Sequence, residues 1–319
     1  MNILNKTLAV LALAAAFAGC ATSDAIRVGS YNVRLSIGDK GTPNAWPERR
    51  ADLVALVKDL DLDVFGMQEV RPDAAAYFRE NLSDWEFVGD HRGPDRASDE
   101  ASPVFYRKSR FEALKKGTFW LSETPEVPAS KSWGTACTRV CSYLILRDRR
   151  TGRKFCFANT HTDHVSALAR EKGMLLIIER MKAFGEGAPI IFTGDHNCRE
   201  TEAPAVAVSQ ILKNALYLSE TEPTGSWRTF SGWQWRDEEV SIAEALRYPP
   251  DVRNARKGSP DAQKVDGEHP YEKFGPRIDY IYVSPGVRVL SYGTVNEPRP
   301  GKQLYPSDHF PIVGAILIR

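Results

Sequence analysis

The sequence predicts an α/β (α+β) fold built as one large domain, and two observations carry that expectation. Short apolar, strand-like runs recur from one end of the 319-residue chain to the other, with amphipathic helical stretches interspersed and no repeat or linker. The composition, 42% hydrophobic and 26% charged, is that of a soluble globular protein able to bury a large core.

Residues 26–31 form the first expected strand, ending in Asn32. Pro47 can open the next helix in its first turn, where the missing N–H is not needed. Leu53, Leu56, Val57 and Leu60 then give that helix the i, i+3, i+4, i+7 stripe of a core-facing side. Residues 62–67 are a short apolar run that delivers Gln68 and Glu69 at its tip. Strands are expected at 103–106, 140–146 and 154–158; the last two flank the polar turn 148–152 and so predict a hairpin. Ser166 is placed to cap a helix carrying Leu168, Leu175, Ile178 and Met181 on one face, stopped by residues 185–189. Residues 190–192 enter Gly194-Asp195 as the next buried strand, and later strands fit 278–283, 287–295 and 312–318. The segment 221–276 is rich in Trp, Pro, Gly and charge, with little periodicity; it is too long for an ordinary loop and is expected to be functional or partly disordered.

At the N-terminus, Lys6 precedes an almost wholly apolar run over residues 7–19. That run is shorter than the roughly 20 residues of a membrane-spanning helix, so residues 1–19 are expected to be an export signal. It closes on Phe17-Ala18-Gly19-Cys20, which resembles a bacterial lipobox with Phe17 in place of the usual Leu. The expectation is a lipid-modified Cys20, a tether over residues 20–25, and attachment as a lipoprotein of a bacterial envelope, periplasmic or cell-surface; plain secretion is the alternative. Removing the signal takes Lys6 from 42 Lys and Arg and nothing from 41 Asp and Glu, leaving 41 against 41. A protein that grips long nucleic acid non-specifically usually carries a basic excess, so this balance favours a small phosphate-bearing partner. Cys137, Cys141, Cys156 and Cys198 allow three pairings, and their spacing lacks the C-x-x-C pairs of a zinc site. They are expected to be structural, either as buried thiols or as one or two disulfides.

Six segments share one pattern, in which an apolar strand stops and groups with metal or proton chemistry appear at its end. They are Tyr31-Asn32-Val33-Arg34, Met67-Gln68-Glu69, Asn159-Thr160-His161-Thr162-Asp163-His164, Thr193-Gly194-Asp195-His196-Asn197, Arg277-Ile278-Asp279-Tyr280 and Ser307-Asp308-His309, and they hold four of the six histidines. In this order the chain resembles the endonuclease/exonuclease/phosphatase superfamily, also called deoxyribonuclease-I-like, from about residue 26 to residue 319. The resemblance implies a four-layer sandwich: two mixed β-sheets packed face to face, helices outside, and a cleft at one rim. It also implies Mg²⁺-dependent cleavage of a phosphate ester, with Mn²⁺ as a substitute.

On those terms each residue has a chemical reason. Glu69 is a carboxylate on a rigid strand end and suits a hard cation; Asn32 could add an amide oxygen to the metal or orient the phosphate, and Asp308 could join the metal site. Asp195 and Asn197 are the candidates for holding and deprotonating the attacking water. Asp279 can fix the tautomer of His309 and stabilise its cation, whose other nitrogen then donates to the phosphate. His161 is expected as a second donor to the phosphate or leaving group. Asp163, Arg34, Arg139 and His196 are candidate substrate contacts, with loop bracing, solvated surface or packing as the alternative for each.

Two other readings stand beside this one. Asn159-x-His161-x-Asp163-His164 differs by one residue from the zinc motif of metallo-β-lactamase-type hydrolases, but an amide is a poor first zinc ligand. A lipid-anchored binding protein with a retired active site is the third. The substrate is open: a phosphate-bearing small molecule, a nucleotide or a lipid head group, for which Trp227, Trp233 and Trp235 could supply a stacking surface. No protein partner is inferable, and a monomer is expected.

Overall fold

Alternation along the strands sorts their side chains onto two faces, and that sorting builds the layers. The computed structural model describes residues 24–259 and 264–319. The expected export signal and lipobox, Cys20 included, lie outside the described residues. With strands numbered along the chain, a seven-stranded sheet runs β10 (Thr224–Gly225), β12 (Arg288–Thr294), β13 (Ile312–Leu317), β1 (Ile26–Asn32), β2 (Val64–Gln68), β4 (Val104–Arg107), β3 (Trp85–Val88). A six-stranded sheet runs β5 (Phe111–Trp120), β6 (Val140–Asp148), β7 (Lys154–His161), β8 (Ile190–Asp195), β11 (Asp279–Val283), β9 (Lys213–Asn214). Both are mixed: β1 pairs in parallel with β2 and antiparallel with β13, while β8 is parallel to β7 and antiparallel to β11.

Val28, Val64, Phe155, Phe157, Ile191, Ile281 and Ile312 form the core between the sheets. The opposite faces of the same strands feed two outer cores. Phe192, Tyr280 and Tyr282 pack with the buried side of α3 (Ala167–Gly185) and α4 (Ala203–Ser209). Tyr31, Phe65 and Met67 pack with α1 (Trp46–Asp59) and α2 (Pro72–Asn81). The result is the helix–sheet–sheet–helix sandwich that the family resemblance implies.

A buried polar side chain, that of Asn159, crosses the apolar seam between the sheets. Asn159, on β7 and fully buried, donates through Nδ2 to the carbonyls of Met67 at 2.7 Å and Pro103 at 3.0 Å in the facing sheet. Its Oδ1 accepts from Gln68 Nε2 at 2.7 Å and from Thr193 Oγ1 at 3.1 Å. Gly66 lies where the Asn159 side chain crosses: a Cβ there would come within 2.1 Å of it. The crossing therefore requires glycine at 66 as well as an amide at 159.

Pro47 does sit in the first turn of α1, and Leu53 and Val57 are buried; Leu56 is only half-buried and Leu60 caps the helix. Ser166 caps α3 by accepting from the amide of Ala169 at 3.1 Å. The expected buried stripe of α3 is partly wrong. Leu168 is 52% exposed and Leu175 half-buried, whereas Ile178 and Met181 are buried as expected and are joined by Met174 and Ile177. In a run as apolar as residues 174–178, several stripes are compatible with the sequence, and packing selects one. α2, β3 and β5 are additional to the expected elements; β5 is an edge strand whose exposed Lys115, Lys116 and half-buried Gly117 hide its alternation.

The 221–276 segment is mostly ordered structure packed on the sandwich. It contributes β10 at the sheet edge and the short helices α5 (Ile242–Ala245), α6 (Pro250–Arg253) and α7 (Pro270–Phe274). Trp227, Ile242, Ala245 and Phe274 join the inter-sheet core, so Trp227 is a packing residue and not a stacking surface for a ligand. Cys137, Cys141, Cys156 and Cys198 are all free thiols, the last three buried, which removes the disulfide alternative among the described residues.

Asn159→Ala should destabilise the protein by roughly 2–4 kcal/mol, because four buried hydrogen bonds are lost, although the Pro103 carbonyl keeps the Met67 amide and Gln68 Nε2 keeps Ser30 Oγ. Urea unfolding of the variant against the wild type measures this; a loss under about 1 kcal/mol would mean the crossing is dispensable.

Candidate active site

Strand register places the reactive side chains along one rim. In the six-stranded sheet His161 is paired with Asp195 and Asp195 with Asp279, three neighbours in a row across β7, β8 and β11. In the facing sheet Asn32 pairs with Gln68, so β1 and β2 end side by side and Glu69 leaves just beyond. By alternation Asn32, His161, Asp195 and Asp279 share the face that carries Val28, Phe157, Ile191 and Ile281, and therefore look into the gap between the sheets. Three non-glycine residues just past these strand ends have left-handed backbone: Arg34 (φ 55°), Glu69 (φ 63°) and Asn197 (φ 46°). Each such residue costs roughly 1–2 kcal/mol, strain that the surrounding hydrogen bonds hold in place.

Asp195 is the hub. Its Oδ2 accepts from Asn32 Nδ2 at 3.0 Å and lies 3.4 Å from His161 Nε2 and 3.6 Å from His309 Nε2; its Oδ1 accepts from the amide of Asn197 at 2.9 Å. Asn32 Nδ2 also donates to Glu69 Oε1 at 2.9 Å, and the second Glu69 oxygen accepts from the amide of Leu35 at 2.9 Å. His309 Nδ1 contacts Asp279 Oδ2 at 2.9 Å, which completes a buried Asp279–His309–Asp195 line. Ser307 Oγ donates to the carbonyl of Asn32 at 2.7 Å and so ties the last motif to the first. Asp308 Oδ2 stands 3.7 Å from Arg34 Nε, which also pairs with Asp39 at 3.0 Å.

Burial, reinforced by the Asp279 carboxylate, raises the Asp195 carboxyl to a pKa of about 6. Burial alone would lower His309, but the carboxylates of Asp279 and Asp195 outweigh it and raise the imidazole to about 10. His309 is therefore a cation at neutral pH, and Asp195 is an anion close to its titration point. Burial, with the nearby charges of Arg139 and His309, pushes His161 well below its ordinary value, so that ring is neutral.

The structure brings Asn32, Glu69, His161, Asp195, Asn197, Asp279 and His309 into one connected network, with Arg34 and Asp308 beside it. Several expected roles change. Asn32 turns its NH₂ between two carboxylates and its Oδ1 toward the amide of Arg34 at 3.0 Å, and so links Glu69 to Asp195. His161 Nε2 faces Asn197 Nδ2 at 2.9 Å, and the same Nδ2 donates to the carbonyl of Thr162 at 3.1 Å. Asn197 is thus the donor, and the neutral His161 accepts at Nε2 instead of donating there.

His196 is not a substrate contact. It follows Asp195 and so points to the opposite face, where its ring stacks on Tyr282 at 5.6 Å and lies against Phe192 and Tyr280 in the outer core. Asp163 is a brace: its carboxylate accepts from the amides of Ala136, Val165 and Ser166. Burial would raise its pKa, but those amides and the Thr135 hydroxyl hold it down to about 2. Asp163 and His164 group with Cys137, not with His161, so the zinc motif of the alternative reading does not converge on one point. Thr229 was not foreseen; its Oγ1 accepts from the amides of Ile278 and Asp279, and its carbonyl accepts from the amide of Phe310 at 2.7 Å, which positions both partners of the Asp279–His309 pair. Only its place in the tryptophan-rich insertion marks it in the sequence.

The donor set fits a hard divalent cation. Asp195, Asp279 and His309 could geometrically surround an ion, but a protonated His309 already paired with Asp279 has no lone pair to give. Glu69 and Asp308 are left as the candidate ligands. Both act on the same cationic group, Arg34, and both offer carboxylate oxygen, the donor that Mg²⁺ takes.

Comparison with known proteins agrees with this geometry. An endonuclease/exonuclease/phosphatase family protein from Bacteroides thetaiotaomicron has 28% sequence identity and a TM-score of 0.77, with 92% of this chain and 98% of that chain covered. A mannosyl-6-phosphatase of Bacteroides thetaiotaomicron VPI-5482 has 29% identity and a TM-score of 0.74, with 92% of this chain and 100% of that one covered. Nocturnin of Drosophila melanogaster is 24% identical over 302 residues, which span 84% of this chain but only 41% of that protein's length. The model of the endonuclease/exonuclease/phosphatase family matches residues 29–309, and the chain belongs to that family of metal-dependent phosphoesterases.

Proposed function

We propose that this protein hydrolyses a phosphate ester by attack of an activated water, with Mg²⁺ as its metal and Mn²⁺ as a working substitute. The observation that carries the reading is the Asp279–His309–Asp195 line ending beside Asn32, Glu69 and His161 at one rim. Glu69 and Asp308 would hold the metal, whose charge would offset that of the phosphate oxygens. Asp195 orients the water and takes its proton; a pKa of about 6 leaves it ionised and basic enough for that work near neutral pH. The water oxygen bonds to phosphorus, the ester P–O bond breaks, and the departing alkoxide takes up a proton to leave as an alcohol. His309, held cationic by Asp279, donates from Nε2 to the charge that grows on the phosphate oxygens. Asn197 keeps Asp195 and His161 in place through its amide and side chain.

A phosphate-bearing small molecule is the substrate this reading favours. The likeness to a mannosyl-6-phosphatase makes sugar phosphates the first candidates, ahead of nucleotides and lipid head groups. The N-terminal signature supports export and anchoring through a lipidated Cys20, with the chain acting as a monomer. Radiolabelled palmitate should enter the wild-type protein made in a bacterial host and be absent from Cys20→Ala; equal labelling would refute the anchor.

Asp195→Ala should lower kcat/KM for a chromogenic phosphate ester by roughly 10²–10⁴-fold while leaving the fold intact. EDTA should abolish turnover, and Mg²⁺ or Mn²⁺ should restore it. Rescue by Zn²⁺ alone, or no turnover of any ester, would defeat the reading.

The His309 pKa sets the alkaline limit. Because the folded protein raises it, the ion pair contributes stability fully below the ordinary histidine value of about 6.5 and loses it as pH rises through about 10. The wild-type kcat profile should therefore stay high into the alkaline range and fall near pH 10. In Asp279→Asn that limb should move down by one pH unit or more, as expected when a charge partner is removed. An unmoved limb would show that His309 is not the group whose proton is required.

A further inference from the structure

The end of the sandwich opposite the catalytic rim carries an uneven charge. β1 and β7 both start there, at Ile26 and Lys154, and reach the rim at Asn32 and His161, which meet Asp195 about 20 Å away at 3.3 Å per residue. The β6–β7 hairpin turns at this far end. Over residues 147–154 it sets Arg147, Arg149, Arg150, Arg153 and Lys154, all exposed, against the carboxylate of Asp148, which is buried and held by Arg110 at 3.0 Å. Arg147 pairs with Glu112 at 3.1 Å and Lys154 with Glu186 at 3.7 Å. Arg149, Arg150 and Arg153, together with the exposed Lys108 of the neighbouring turn, have no carboxylate within 4.0 Å among the described residues. Arg153 instead donates to the carbonyl of Ile318.

The N-terminal segment leaves the fold at the same place. Arg110, which holds Asp148, also donates to the carbonyls of Ala25 at 2.7 Å and Asp24 at 3.2 Å, and its own carbonyl accepts from the amide of Arg149 at 2.9 Å. One arginine thus fastens the start of β1 to the base of the basic hairpin. Cys20 stands four residues before Asp24, at most about 14 Å of extended chain. An acyl group on Cys20 therefore brings this end, and not the catalytic rim, to a membrane. Cations beside an acyl anchor add attraction to anionic head groups, the second signal that makes such anchoring stable. The chain as a whole is nearly neutral, at +1, so a local patch beside the anchor fits a lipid surface better than it fits a nucleic acid.

We infer that this basic end rests on an anionic lipid surface, so that the catalytic rim faces the aqueous side and takes its substrate from solution, out of reach of the head groups beneath it. The inference rests on the anchoring part of the proposed function and goes beyond it by assigning the membrane-facing surface and the direction in which the cleft opens.

The chain from Cys20 onward, without acyl groups, contains every element of the sandwich and isolates the protein's own contact with lipid. It should cosediment at low salt with vesicles of phosphatidylcholine and phosphatidylglycerol mixed at about 7:3, not with phosphatidylcholine alone, and should be released by about 0.5 M NaCl. The triple variant Lys108→Gln, Arg149→Gln, Arg150→Gln should weaken partition by about 100-fold, at roughly fivefold per cation. Lys40→Gln, Lys172→Gln, Lys302→Gln removes the same charge from other exposed positions and should leave partition nearly unchanged. On the anionic vesicles, hydrogen exchange should slow at the amides of residues 107–110 and 147–153 and stay as it was at residues 34–40 and 163–168 on the rim. Equal weakening by the two triple variants, equal binding to neutral and anionic vesicles, or tighter binding to a duplex oligonucleotide than to anionic vesicles would overturn the inference. Slowed exchange at the rim instead of the hairpin would overturn the orientation. Neither readout uses turnover or acylation, so failure of the phosphoesterase reading or of the palmitate label is seen separately from failure here.

Discussion

The amide of Asn159 is the contact on which the site depends. Two sheets packed through Val, Ile and Phe side chains can slide over one another at little cost, because apolar packing has no direction. Asn159 removes that freedom by fastening β7 to the backbones of Met67 and Pro103, two bonded neighbours on β2 and just before β4. With Gln68 bonded to both Asn159 and Ser30, the two sheets share one register at the reactive rim. Glu69 and Asn32 come from one sheet, while His161, Asp195 and Asp279 come from the other. Their meeting is held by this crossing together with the Asn32–Asp195 contact, which also joins the two sheets.

Charge at the rim is governed by position more than by residue type. Asp195 and Asp163 are both aspartates at strand ends, yet burial beside Asp279 raises the first to about 6, whereas backbone amides hold the second down to about 2. His161, His196 and His309 differ in the same way. His309 has two carboxylates and stays protonated; His161 has cations nearby and is neutral; His196 lies among aromatic rings, where burial lowers it to about 3. One acid poised near neutrality beside one fixed cation suits proton removal from water and stabilisation of a phosphate in the same cleft.

The insertion over residues 221–276 shows how support for a site can come from outside its motifs. Trp227 is buried in the inter-sheet core, with its indole donating to the carbonyl of Arg253 at 3.2 Å. Next to it, Thr229 holds the Asp279 and Phe310 backbones, and the amides of Ser231 and Gly232 both donate to the carbonyl of Asp308. The segment therefore acts as a clamp on the strand ends that present Asp279, Asp308 and His309. Its irregular sequence follows from that use: its short helices and turns are shaped by what they cover, and leave no period to detect.

By itself the sequence determined the kind of fold and most of the chemical inventory. Alternating strands, the Pro47 and Ser166 helix starts, and carboxylates, amides and imidazoles at strand ends are local properties, set by backbone sterics and side-chain type. The family resemblance added their order. What only the tertiary structure decided was orientation and partnership. Parity along β8 sent His196 to the outer core and Asp195 to the cleft. The two carboxylates that Asn32 bridges lie 37 and 163 residues away in the chain, so its role as a link between them depends on sheet packing. The same holds for the neutral His161 and the bracing Asp163. Each follows from which groups a fold brings within a few ångströms, a distance that no local pattern of residues records.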